Sequence, residues 1–247
     1  MRRTMLATAA VVGLLGLLPG RAEGQQPDVA LVYRLLQEGR MMVFPATGPR
    51  RPAQLGERLK HQDTVATSEN TRAALRFVDD GSILRINPRS RVLLTTGGQG
   101  GALVRTLELE FGEVWARVNR RGGAQFRIQT PAGVAAVKGT EFVVRVDSAG
   151  VTVITLEGVV EFFNDAGRTD VSAGRRTSVT SASDAPEAAD ASPEELRAAD
   201  QVGGGDDGAS TAGTWIEVQL QDPEGRIRTL MLQVPADALR GRIQGAP

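Results

Sequence analysis

Two ionisable side chains, Lys138 and Glu141, interrupt the otherwise apolar run TPAGVAAVKGTEFVV at residues 130–144. A lysine beside a carboxylate is a pair that acid–base chemistry can use. In a regular strand, residues three apart point to opposite faces, so the two could meet one substrate only across a break in the pleat. Gly139 lies between them, and glycine inside a strand marks a bulge or a corner. The neighbours Val137, Phe142, Val143 and Val144 have core character, not that of an open cleft. The expectation is therefore a bend, with the two ions paired or bonding backbone groups that the turn leaves open. Gly133, Lys138, Gly139, Thr140, Glu141, Phe142 and Gly158 form this structural signature, and no residue is assigned to catalysis, to a cofactor or to a metal.

Other chemistry has few candidates. His61 is the single histidine and there is no cysteine. A triad centred on His61 would draw on Asp63 and Ser68, yet triads are defined by spatial roles and LKHQDT reads as an exposed turn. A zinc site would need mostly carboxylates. Asp79-Asp80 and Asp206-Asp207 lack the alternating oxygen ligands of a calcium loop and read as solvated turn acids. Gly97 to Gly101 could suggest a phosphate cradle, but an alternating strand, not a helix, follows. A polysaccharide hydrolase needs only two carboxylates and a cleft; against it stand 4% aromatics, with two Trp and one Tyr, few platforms for sugar rings. The same scarcity argues against single-stranded nucleic acid.

The elements that must hold these residues follow a signal-like start. Arg2 and Arg3, an apolar run of 14 residues from Met5 to Leu18, and small residues Ala22 and Gly24 have the order of a cleaved secretory signal over residues 1–24. The run is short of the ~20 residues of a spanning helix, so no stable membrane insertion is expected after cleavage. The remaining chain has 26 basic and 28 acidic residues, too balanced to draw in nucleic acid or an anionic membrane. Without cysteine, the core alone must supply stability in an export compartment.

Residues 25–180 show short alternating runs punctuated by turns, the pattern of an all-β domain of many short strands. Ala30–Leu36 reads as the first, with a short helix as the competitor and a turn at Glu38-Gly39. Ala74–Val78 and Ile83–Ile86 flank Asp79-Asp80-Gly81-Ser82 as a hairpin. Arg105, Arg117, Arg127 and Arg145 alternate with apolar residues and are assigned to a solvated face. Residues 181–213 are rich in Ala, Asp, Gly and Ser and read as a flexible linker. Within it, Ser192-Pro193-Glu194-Glu195 has the capping pattern of a short, marginal helix. Residues 214–247 hold a β-hairpin, Trp215–Leu220 and Arg226–Val234, which needs something to dock on.

TPAGVAAVKGTEFVV, followed by TVITLEGVVEF and VSAGRRTSV, resembles the signature of the FecR domain, the exported sensory domain of iron-citrate-type anti-sigma regulators. The upstream LKHQDTVATSENTRAALRFVDDGSILRINPRSRVLL resembles its first half, with Gln62 where the family has a turn glycine. The resemblance runs from about Ala30 to Val179 and lacks the cytoplasmic anti-sigma segment. It implies a twisted, solenoid-like or coiled all-β sheet domain whose work is protein–protein contact. The functional expectation is a periplasmic or secreted interaction module with an envelope protein partner. The alternatives are a component of a surface-signalling, sigma-regulating pathway acting with separate membrane partners, and a carboxylate-based polysaccharide hydrolase.

Overall fold

The computed structural model describes residues 27–37, 40–99, 102–120, 125–204, 213–221 and 226–235. The first strands are β1 (Asp28–Gln37), β2 (Met41–Phe44), β3 (Arg51–Pro52), β4 (Arg58–Lys60), β5 (Thr64–Thr67), β6 (Thr71–Phe77), β7 (Ile83–Ile86), β8 (Arg91–Gln99) and β9 (Ala102–Arg117). Then follow β10 (Gln125–Thr130), β11 (Gly133–Val137), β12 (Glu141–Asp147), β13 (Gly150–Glu157), β14 (Val159–Phe163), β15 (Arg168–Ser172), β16 (Arg175–Val179) and β17 (Ala188–Asp190). The helix α1 (Pro193–Gly204) and a hairpin of β18 (Gly213–Gln221) and β19 (Ile227–Pro235) complete the described chain. The all-β expectation holds, and β1 is a strand, not the competing helix. Its expected turn at Glu38-Gly39 lies outside the described residues.

Seventeen strands form one hydrogen-bonded network, an open sheet with no barrel closure. Its organising element is β9. The first part of β9 pairs with β8 and, in parallel, with β10; the part from Gly112 onward pairs with β7 and β12. Gly112 stands at this joint with φ +100°, and a Cβ there would lie 2.2–2.5 Å from Ser90, backbone included. Two ladders therefore meet in one strand. The first runs β4-β1-β6-β7-β9-β12-β13-β16-β17 and the second β3-β2-β5-β8-β9-β10-β11-β14-β15. They face each other, as Phe77 of β6 and Phe126 of β10 meet edge to face at 5.6 Å. Val32, Val43, Leu75, Leu84, Leu107, Ile128, Phe142 and Phe162 are among the buried residues between them.

The chain passes from one ladder to the other at corners, and threonines close several of them. The Thr67 hydroxyl donates to Asn87 O at 2.6 Å, that of Thr140 to Val159 O at 3.0 Å, and that of Thr155 to Val171 O at 2.9 Å. Each thereby satisfies a carbonyl that regular pairing leaves free where the pleat breaks.

Residues 181–204 correct the flexible-linker expectation. β17 pairs with β16, and α1 lies on the outer face of the first ladder. Leu196, Ala199, Val202 and Gly203 recur at helical spacing and cover Trp115, Val143 and Ile154. A stripe of small residues is easy to read as polar low complexity, yet it lets the helix approach the indole closely. The expected cap is present: Ser192 N–H donates to Glu195 Oε2 at 2.8 Å and Glu195 N–H to Ser192 Oγ at 3.2 Å. The hairpin pairs in register from Gly213↔Pro235 to Gln221↔Ile227, and Arg58 Nη2 donates to Gln219 O at 2.6 Å. Among the described residues, no helix is long and apolar enough to cross a membrane.

Candidate functional site

All the signature residues but Gly133 gather at two adjacent corners. Gly139, φ +82°, carries the chain from β11 in the second ladder to β12 in the first; Gly158, also φ +82°, carries it back from β13 to β14. The corners touch, because a Cβ on Gly158 would lie 3.0 Å from Gly139 O and 3.1 Å from Thr140 Oγ1. Thr140 is buried, and its carbonyl accepts from Val118 N–H at 2.9 Å. Phe142 is in the core. Gly133 sits at the β10–β11 turn, where a Cβ would strike the Phe162 ring at 2.6 Å.

Lys138 and Glu141 part company at the corner. Glu141 pairs with Arg117 on β9, Oε2 to Nε at 2.9 Å, and Arg117 also lies over the Trp115 ring at 5.0 Å. Lys138 points outward and is exposed. Arg117 was missed as Glu141's partner because it stands opposite on the neighbouring strand β9, 24 residues away in sequence. Glu141 also sits at a register shift, where Glu141 and Phe142 oppose Glu157 and Thr155.

Lys138 forms one wall of a cleft of about 450 Å³ on the outer face of the second ladder. Gln125 and Arg127 of β10, Val159, Glu161 and Phe163 of β14 and Arg168 of β15 line it as well. Registers explain the grouping: Arg127 lies across from Ala136, which lies across from Glu161, and Phe163 lies across from Arg168. Arg168 Nη1 meets Glu161 Oε1 at 3.3 Å, with both side chains well exposed. Arg127 Nη2 donates to Gln125 Oε1 at 2.8 Å. Among the described residues, Glu161 is the one acid in the lining, whereas a glycoside hydrolase needs two.

A second polar cluster lies inside the fold and corrects the solvated-face assignment of Arg105. This residue is 1% exposed and lies between the rings of Phe77 and Phe126, 5.0 and 5.5 Å from their centroids. Its guanidinium meets both carboxylates of the β6–β7 turn: Nη1 to Asp80 Oδ1 at 3.3 Å, Nη2 to Asp80 Oδ2, and Nε to Asp79 Oδ2 at 3.3 Å. Asp79 and Asp80 are thus partners of a buried cation, not solvated turn acids. Burial pushes the Asp79 carboxyl above its ordinary range, with Arg105 opposing and Asp80 adding to the rise. The parity of β9 carried the signal, since Arg105 shares its inward face with Leu107 and Leu109. Arg117 and Arg145 are exposed and paired with Glu141 and Glu113, and Arg127 is half-buried.

His61 is half-buried, and its Nδ1 accepts from Thr96 N–H at 3.0 Å. Asp63 instead accepts from Lys60 N–H at 2.9 Å, and Ser68 Oγ accepts from Arg40 N–H at 2.9 Å, so each has a backbone task. Gln62 takes φ +67°, the left-handed geometry suited to the family's turn glycine. β9 follows the glycines after Thr96, as a cradle would not allow. Asp206-Asp207 lies outside the described residues. Among the described residues, no three His, Cys, Asp or Glu side chains gather as a metal site.

Residues 63–161 match the family model described as FecR protein. This stretch is a FecR domain. In the structure it spans β5 to most of β14, including the β9 joint and both corner glycines. Two crystal structures of a candidate anti-sigma factor from Parabacteroides distasonis ATCC 8503 are similar, at 18% and 17% identity with TM-scores of 0.48 and 0.47. Each comparison covers 56% of this chain and 64% of the crystallised one, short of two thirds of its length. No curated protein matches.

Proposed function

We propose that this chain is an exported, non-catalytic interaction module of the cell envelope that acts in signalling by contact with another protein. The FecR domain at 63–161 is the observation that carries the reading, and it supports an extracytoplasmic, signalling role. The hairpin of β18 and β19 supports contact by strand addition: among the described residues it forms its own two-stranded sheet, and such a sheet is marginal alone in water. An added strand would complete its backbone hydrogen bonding. Cleavage after Gly24 would release the chain from the membrane, with Gln25 as the mature start; sequencing the N-terminus of the exported protein checks this. In vivo cross-linking with and without residues 214–247 tests the contact. A partner adduct that vanishes on truncation, while the thermal melt of the β domain stays in place, supports the reading. An adduct independent of the hairpin places the contact elsewhere.

The second reading is a sigma-regulating pathway in which separate membrane proteins carry the signal across, and the FecR domain favours it. Its test is transcriptional. Deleting the gene should change expression of a sigma-dependent promoter set only when the membrane partner is present.

A further inference from the structure

We infer that the cleft beside Lys138 is a binding site for a small organic anion, an oxyanion carried on a compact apolar body. Its volume of about 450 Å³ lies within the range of small-molecule sites. Among the described residues, three cations, Arg127, Lys138 and Arg168, converge on it against a single acid, Glu161, which leaves a net charge of +2. Glu161 is already engaged with Arg168, and Lys138 has no ion pair among the described residues. Arg127 donates an N–H to a neutral amide, that of Gln125, and has no ion pair among the described residues. Val159, 47% exposed, and Phe163 supply an apolar surface in the same cleft. Cations around an apolar patch select a ligand with both an anionic head and a greasy body; a bare inorganic ion would leave that patch in water. The opposite outer face is covered by α1, whereas no described element lies over this one.

The inference does not rest on the partner-protein reading. Its test titrates benzoate, phenyl phosphate and neutral benzyl alcohol into the full chain while amide NMR shifts are followed. Benzoate or phenyl phosphate should shift amides around Lys138, Glu161 and Arg168, with benzyl alcohol at least ~10-fold weaker and affinity falling as salt rises. Whichever of the two anions binds more tightly identifies the head group as carboxylate or phosphate. Lys138→Gln should weaken binding about fivefold, and Glu161→Gln should strengthen it a few-fold by freeing Arg168. These opposite signs separate a site effect from damage to the fold, since either change made through misfolding would only weaken binding. Equal binding of benzyl alcohol, weakening by Glu161→Gln, or binding of an acidic peptide alone would overturn the inference.

Discussion

Arg105 and Asp80 form a two-pronged ion pair within the fold, where each side chain is 2% exposed. The rings of Phe77 and Phe126 flank the guanidinium and keep water away, so the pair has no solvent to fall back on. A buried pair of this kind adds little net stability over an apolar filling, but breaking it is expensive.

Arg105→Met should therefore cost about 3–5 kcal/mol, because it strands two carboxylates. The triple change with Asp79→Asn and Asp80→Asn should recover most of that loss. Urea denaturation of the single and triple variants makes the comparison.

The Asp79 carboxyl gives a pH signature. Its folded-state pKa is raised by burial, so its contribution is fully present below the unfolded value, 3.8, and is lost as pH rises through the folded value. Asp79→Asn should gain stability relative to the parent as pH is raised from 4 to 7. Paired denaturant melts across that range would show the difference growing and then levelling off.

Corner glycines should be ranked by what stands opposite. Gly112→Ala meets the Ser90 backbone and should cost about 2–4 kcal/mol. Gly139→Val meets the movable Arg120 side chain, but at positive φ, and should cost about 2 kcal/mol. His61→Ala removes one acceptor and should cost about 1 kcal/mol. Thermal melts read the order directly.

The helix can be lifted off without touching the core. A Cβ on Gly203 would lie 2.1 Å from Trp115 Nε1, so Gly203→Val should expose the indole and red-shift its fluorescence. Ser192→Ala removes one arm of the cap and should cost about 1 kcal/mol of helix stability with a smaller spectral change.

Gln62→Gly should be mildly stabilising, by about 0.5–1 kcal/mol, since the left-handed backbone strains the present side chain more than glycine's entropy costs. The midpoint of a urea melt measures it.

How far the residues announced this fold depends on whether the deciding partner was near in sequence. The β6–β7 hairpin, the bend at Gly139 and the cap at Ser192 are local, and each follows from two to six neighbouring residues. The partner of Glu141 and the burial of Arg105 are set by register between distant strands, which alternation within one strand does not specify. Arg105 was the nearest miss, as its parity with Leu107 and Leu109 already pointed inward. The docking of α1 was hidden because alanine and glycine make contacts through closeness of approach, a quantity that composition does not express. The cleft was not legible for a related reason: its walls come from four strands, and only the Lys138 wall lies in residues 130–144.

Because β9 serves both ladders, neither can come apart while the other stays whole. The family match begins at Asp63, yet β1 lies between β4 and β6, buried at Leu31 and Val32. A piece cut at 63 and 161 would carry raw edges on both sheets and should aggregate, whereas Asp28 to Gly204 keeps all seventeen strands of the network and α1.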